Sequence, residues 1–171
     1  MIKINIYTAA WIMAFLLLVA CNANTQKDEG NTAKNTRQEQ ANPLALVQLE
    51  DLEGNTIALD HYKDKTVVLN FWATWCKPCV VEMPSMEQAK EQLGDDFVFL
   101  LASDEGVEKI SAFKEKIGVD LPFVSLKMSM QNLPITALPT TWIIRNGEIL
   151  EEIVGSREWD EAAHLENLKQ L

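Results

Sequence analysis

Metal-ligating residues are scarce in this chain of 171 residues, which has three Cys and two His. Three thiols with two isolated imidazoles make a poor zinc site, and an odd cysteine count makes a poor disulfide scaffold. Positive charge is also short, with 15 Lys and Arg against 25 Asp and Glu, a net charge of −10. A phosphate backbone needs a basic surface, so nucleic acid is excluded as a partner. No apolar run reaches the roughly 20 residues of a membrane-spanning helix. With 47% hydrophobic and 23% charged residues, the chain is neither disordered throughout nor a multi-span membrane protein. The length suits one ordinary domain and an additional segment.

Three segments follow from composition. Residues 1–20 carry Lys3 and no acidic residue, and an apolar run from Ala9 to Ala20 is about a dozen residues long, short of a span. This reads as the apolar region of a secretory signal peptide. The run closes on Leu18-Val19-Ala20-Cys21, which resembles a bacterial lipobox. That resemblance implies cleavage before Cys21, lipid on its sulfur, and an anchor in the bacterial cell envelope on its periplasm-facing side. Several acyl chains on one residue exceed the two signals that stable anchoring requires. Residues 21–42 continue as a tether of Asn, Thr, Gln, Lys, Glu and Ala without a branched or aromatic apolar residue, too polar to fold. A flexible chain of about 20 residues spans roughly 25 Å. Its Lys27-Asp28-Glu29 cluster loosely resembles the surface-export signals of some Bacteroidetes lipoproteins, although a solvated linker accounts for it better. Residues 43–171 form the folded domain, with 11 Lys and Arg against 22 Asp and Glu, a net −11.

Within the domain, Thr66–Trp72 and Phe97–Ala102 are continuous apolar runs that predict buried strands. Residues 76–93 carry apolar positions at Met83, Met86, Ala89 and Leu93, a helical spacing, with a kink predicted at Pro84. Val107, Ile110, Phe113 and Ile117 mark a second helix ending at Gly118. Pro122–Leu126 is a short strand. Asn146-Gly147 joins strands at 140–144 and 148–154 in a hairpin. Trp159, Ala162, Leu165 and Leu168 give a closing helix, and two short strands near Leu44–Leu49 and Asn55–Leu59 open the domain. This order predicts an α/β fold with a mixed central sheet, helices on both faces and an N-terminal strand pair.

The chemistry centres on Trp75-Cys76-Lys77-Pro78-Cys79, which follows a strand and opens a helix. Free N–H groups and the positive end of the helix dipole stabilise a thiolate at Cys76, lowering its pKa below the free value of about 8.5. Cys79, one turn on, lies within bridging reach and resolves a mixed disulfide formed at Cys76. Pro78 suits a first turn, where its missing N–H costs nothing, and Lys77 adds a positive charge. A zinc half-site would need two more ligands, and His61 and His164 stand apart from any motif.

The run Phe71-Trp72-Ala73-Thr74-Trp75-Cys76-Lys77-Pro78-Cys79 resembles the active site of the thioredoxin superfamily. From Leu44 to the C-terminus the closer likeness is to the TlpA/ResA branch of extracytoplasmic, membrane-tethered thiol–disulfide oxidoreductases. The resemblance implies a redox-active Cys76–Cys79 disulfide with no other cofactor. It also implies a cis Pro139 packed on that disulfide, as Leu138-Pro139-Thr140-Thr141 precedes a strand. Glu82 falls where ResA-like proteins keep an active-site glutamate, whose burial would raise its pKa and let it move a proton for Cys79. Asn70 replaces the buried Asp of thioredoxin itself and cannot titrate, which leaves Glu82 as the proton-transfer candidate. Trp75, Lys77, Pro78 and Leu138 fall on the substrate side, and Trp72 and Trp75 are expected around the disulfide. Implied partners are substrate proteins with disulfides and a membrane thiol donor of the DsbD/CcdA type.

The implied direction is reduction, as in cytochrome c maturation, although Lys77 favours a more oxidising pair. Two other readings stand beside it. One is a copper or haem chaperone using both cysteines as ligands, although such chaperones add a distant His. The other is a thiol peroxidase, although no Pro precedes Thr74 within reach.

Overall fold

A computed structural model describes Asn42–Leu171. The expected signal peptide, Cys21 and the tether lie outside the described residues. The seven-stranded sheet is built around β3 (Thr66–Phe71), whose six residues are all buried. A β-branched and aromatic run without alternation demands cover on both faces. β3 pairs in parallel with β4 (Phe97–Ser103) and antiparallel with β6 (Thr140–Arg145), and one buried cluster covers each of its faces. With β1 (Leu49–Glu50), β2 (Thr56–Ile57), β5 (Phe123–Leu126) and β7 (Glu148–Val154), the order is β2-β1-β5-β4-β3-β6-β7.

The α-helices are α1 (Lys77–Leu93), α2 (Val107–Ile117) and α3 (Ala162–Gln170). The helical cover of the two faces is unequal. Met83 and Met86 of α1, Ile110 of α2, and Leu165 and Leu168 of α3 belong to one buried cluster, with Val68, Phe99 and Trp159. The crossovers from β3 to β4 and from β4 to β5 step the same way across the sheet, so right-handed connections place α1 and α2 on one side. The second cluster, around Leu69, Phe71 and Trp142, is closed by Leu44, Leu59 and Met130 from short 3₁₀ turns.

Three local expectations are refined. The first opening strand shrinks to Leu49–Glu50, because Pro43 and the capping side chain of Asn42 start a 3₁₀ turn over Pro43–Leu46. The second shrinks to Thr56–Ile57, as Leu59 begins another such turn. At Pro84, where the sequence predicts a kink, α1 runs on as one helix, and in that turn the Ser85 hydroxyl donates to the Glu82 carbonyl at 2.8 Å. The β6–β7 turn follows its sequence signal, with Asn146 at φ 52° and Gly147 at φ 76°, both in the region that a primed two-residue turn requires.

The register sets the poles of the domain. Phe71 pairs with Thr140 and Val67 with Ile144. The C-terminal end of β3, which leads into Cys76, therefore lies beside the start of β6, which Pro139 precedes. At the opposite end Asn42 Nδ2 donates to the Gly147 carbonyl at 2.9 Å.

Candidate active site

Cys76 and Cys79 form a disulfide with Cα atoms 5.3 Å apart. Cys76 is the N-cap of α1, and its Sγ accepts the Cys79 N–H at 3.3 Å. The sulfur thus meets a free donor at the positive end of the helix, the arrangement that favours a thiolate. Cys76 retains 4% of its surface and Cys79 none, so a reactant from solvent reaches only Cys76. Lys77 and Pro78 are exposed beside it.

Glu82, one turn beyond Cys79, is 3% exposed. Its Oε1 accepts from Asn70 Nδ2 at 3.0 Å. Its Oε2 accepts from Trp159 Nε1 at 3.0 Å and from the Arg157 N–H at 3.2 Å. Burial pushes the Glu82 carboxyl above its ordinary value, and the donors from Trp159, Arg157 and Asn70, with the Arg157 charge, pull only part of the way back. Asn70 Nδ2 also donates to Thr141 Oγ1 at 2.8 Å, which ties the amide to β6. The whole arrangement is a carboxyl kept from water, one turn past the cysteine pair along α1, with its pKa raised by burial.

Arg157 is not singled out by the sequence, and Trp159 is read there only as an apolar helix position. Both lie in the loop between β7 and α3, so Trp159 precedes the helix whose first apolar position it was expected to be. The Trp159 N–H donates to Ser85 Oγ at 3.1 Å, which fixes the indole over α1. A buried indole needs an acceptor and a buried carboxylate needs donors, but 77 residues separate the pair, and no sequence period links them. His164 is buried beside them, its ring 4.9 Å from that of Trp159, and Arg157 Nη1 lies 3.4 Å from its Nδ1. Burial and the Arg157 charge push the His164 pKa down.

On the other flank, Thr74 is pinned by Glu105 from the turn after β4. The Thr74 N–H reaches Oε2 at 2.7 Å and its hydroxyl reaches Oε1 at 3.0 Å. Burial alone would raise the Glu105 carboxyl, but hydrogen bonds from Lys109 and Thr74 outweigh it and lower the pKa. Trp72 is fully buried in the cluster that contains both cysteines, against Phe113 at 4.8 Å. Trp75, by contrast, is 72% exposed and does not pack as a core aromatic. Pro139 is buried and follows a cis bond from Leu138, which packs against the cluster containing the cysteines. Met83 and Met86 are core, and Met128 and Met130 pack in the second cluster.

The AhpC/TSA family model matches residues 39–153. Thiol-disulfide oxidoreductase ResA of Geobacillus kaustophilus is 38% identical over 127 residues, covering 71% of this chain and 73% of that one. The exposed lipoprotein thioredoxin of Streptococcus pneumoniae superposes with a TM-score of 0.59 at 30% identity, over 72% of this chain and 98% of that chain. A thiol:disulfide interchange protein of Chlorobium tepidum shares the fold, with a TM-score of 0.57 at 22% identity over 71% of this chain and 92% of that chain. The chain belongs to the AhpC/TSA family and, within it, to the ResA-like thiol–disulfide oxidoreductases, with Cys76–Cys79 as its disulfide.

Proposed function

We propose that the protein is a membrane-anchored, extracytoplasmic reductase of substrate protein disulfides, with cytochrome c maturation as its setting. The observation that supports this best is the pairing of an accessible helix-capping Cys76 with a shielded Cys79 and a buried Glu82 one turn further on. In the dithiol form the Cys76 thiolate attacks one sulfur of the substrate disulfide, forming a mixed disulfide and releasing the other sulfur as a thiolate. Glu82 takes the Cys79 proton, and the Cys79 thiolate attacks Cys76 Sγ. The substrate leaves as a dithiol and the protein as the disulfide, the state in this structure. A membrane thiol donor of the DsbD/CcdA type then returns two electrons and two protons. Trp75, Lys77, Pro78 and Leu138 form the face on which substrate backbone and side chains rest, with Pro139 holding Leu138 in place.

Anchoring is proposed through lipid on Cys21 after removal of residues 1–20. It draws support from the Leu18-Val19-Ala20-Cys21 motif and from the lipoprotein nature stated for the pneumococcal relative.

In a thiol-coupled insulin-reduction assay, Cys76→Ser is expected to abolish turnover, and Cys79→Ser to trap a mixed disulfide with substrate. Retained turnover in Cys76→Ser refutes the mechanism. The reduction potential of the pair, followed by tryptophan fluorescence, separates a reductase at about −270 mV or below from an oxidase near about −120 mV.

A further inference from the structure

The open flank of the disulfide holds a cavity of about 330 Å³ walled by Trp75, Val80, Phe113 and Ile117. Its two charged lining residues are both lysines, Lys77 and Lys116, in a domain of net −11. The walls are held from behind. Phe113 packs against Trp72 in a tilted pair at 4.8 Å and lies 6.3 Å from Phe123, and Thr74, also in the lining, is tied to Glu105. A pre-formed apolar hollow of this size with a few fixed charges has the character of a side-chain subsite. Trp75 and Lys77 are the chain neighbours of Cys76, so the hollow begins one residue from the sulfur that a substrate must reach.

We propose that this groove is a specificity subsite for the substrate polypeptide. It seats a bulky apolar side chain close to the substrate's reactive cysteine, while Lys77 and Lys116 meet a neighbouring carboxylate. The inference rests on the oxidoreductase reading of the same pair and names the class of chain that it prefers. Charge selects here because the rest of the domain repels acidic segments, and the two lysines locally reverse that field.

The probe is a set of four short peptides, each with one cysteine capped by mercaptoethanol as a mixed disulfide. Leu or Ser beside the cysteine is crossed with Glu or Lys two residues away. Second-order reduction rates by the dithiol protein are followed by tryptophan fluorescence. The wild type is expected to prefer Leu–Glu to Leu–Lys by about tenfold. Lys116→Glu is expected to invert that ratio, and Ile117→Ser to erase the Leu-over-Ser preference while leaving the Glu-over-Lys ratio in place. Ratios cancel any general loss in a variant. Wild-type ratios near one, or ratios that neither substitution changes, overturn the subsite. Hydroxyethyl disulfide separates the two levels of failure. If the wild type reduces it while the peptide ratios are flat, the groove alone is wrong. If the wild type reduces neither, the reductase reading falls and the subsite with it.

Discussion

On one flank of the Cys76–Cys79 pair, Glu82 is sealed among Asn70, Trp159 and the Arg157 backbone. On the other, Glu105 stands partly in water and answers to Thr74 and Lys109. The two carboxylates sit in the same small region and are displaced in opposite directions. For Glu82 burial dominates and raises the pKa above 4.5. For Glu105 the donors overcome burial and lower it below 4.5. A polar network thus serves two purposes, depending on how much water is excluded. The sealed flank tunes a proton, and the open flank holds a loop still.

The signs of the pH dependence follow. A raised carboxyl in the folded state binds protons that the unfolded chain has released, so its contribution to stability falls as pH rises from 4.5 through the raised value. A lowered carboxyl contributes stability above 4.5 that is lost as pH falls through the lowered value. Together the two groups favour the fold most near pH 4.5.

The sharpest way to break the contrast is Glu82→Gln. It removes the titrating group while keeping most of the shape. Resolution of the mixed disulfide is expected to slow about a hundredfold at neutral pH, as loss of a positioned general base does. The fall in stability above pH 4.5 should flatten in the same variant, as read by denaturant melts across pH. Trp159→Phe keeps the carboxyl but deletes one of its donors, so the pH–rate profile should move to higher pH with a smaller loss of rate. Removing a hydrogen bond to a charged group also costs about 1.5–3 kcal/mol, measurable by urea unfolding. Glu105→Gln is the mildest. The amide oxygen can still accept from Thr74, so the cost should stay below that of Trp159→Phe, and it appears as loss of the acid limb below pH 4.5 with turnover nearly unchanged. If Glu105→Gln instead slowed resolution as much as Glu82→Gln, the division of labour between the flanks would be wrong.

What the sequence makes legible is whatever is local. The unbroken run Thr66–Phe71 could only be an interior strand, and Asn146-Gly147 marks the hairpin turn because few residues adopt two consecutive positive φ values, whereas the register shift between Ile143 and Ile144 leaves no mark in the sequence. Cys76 at a helix start is legible locally too. Glu82 is legible through the resemblance to ResA-like proteins, but its surroundings are not, since Trp159 and Arg157 reach it from a loop with no period of its own. Trp75 illustrates the converse. Its side chain is expected around the disulfide, yet it stands in solvent as one wall of a groove whose other wall, Phe113 and Ile117, comes from α2. A hollow made between two helices has no local sequence pattern.

The bond from Asn42 to Gly147 has a consequence for handling the protein. β6 separates that attachment from Pro139 by six residues, or about 20 Å of strand. A partner fused directly to Asn42 therefore starts at the hairpin pole, and the sulfur of Cys76 lies at the other, so such a fusion begins at the end of the domain away from the disulfide.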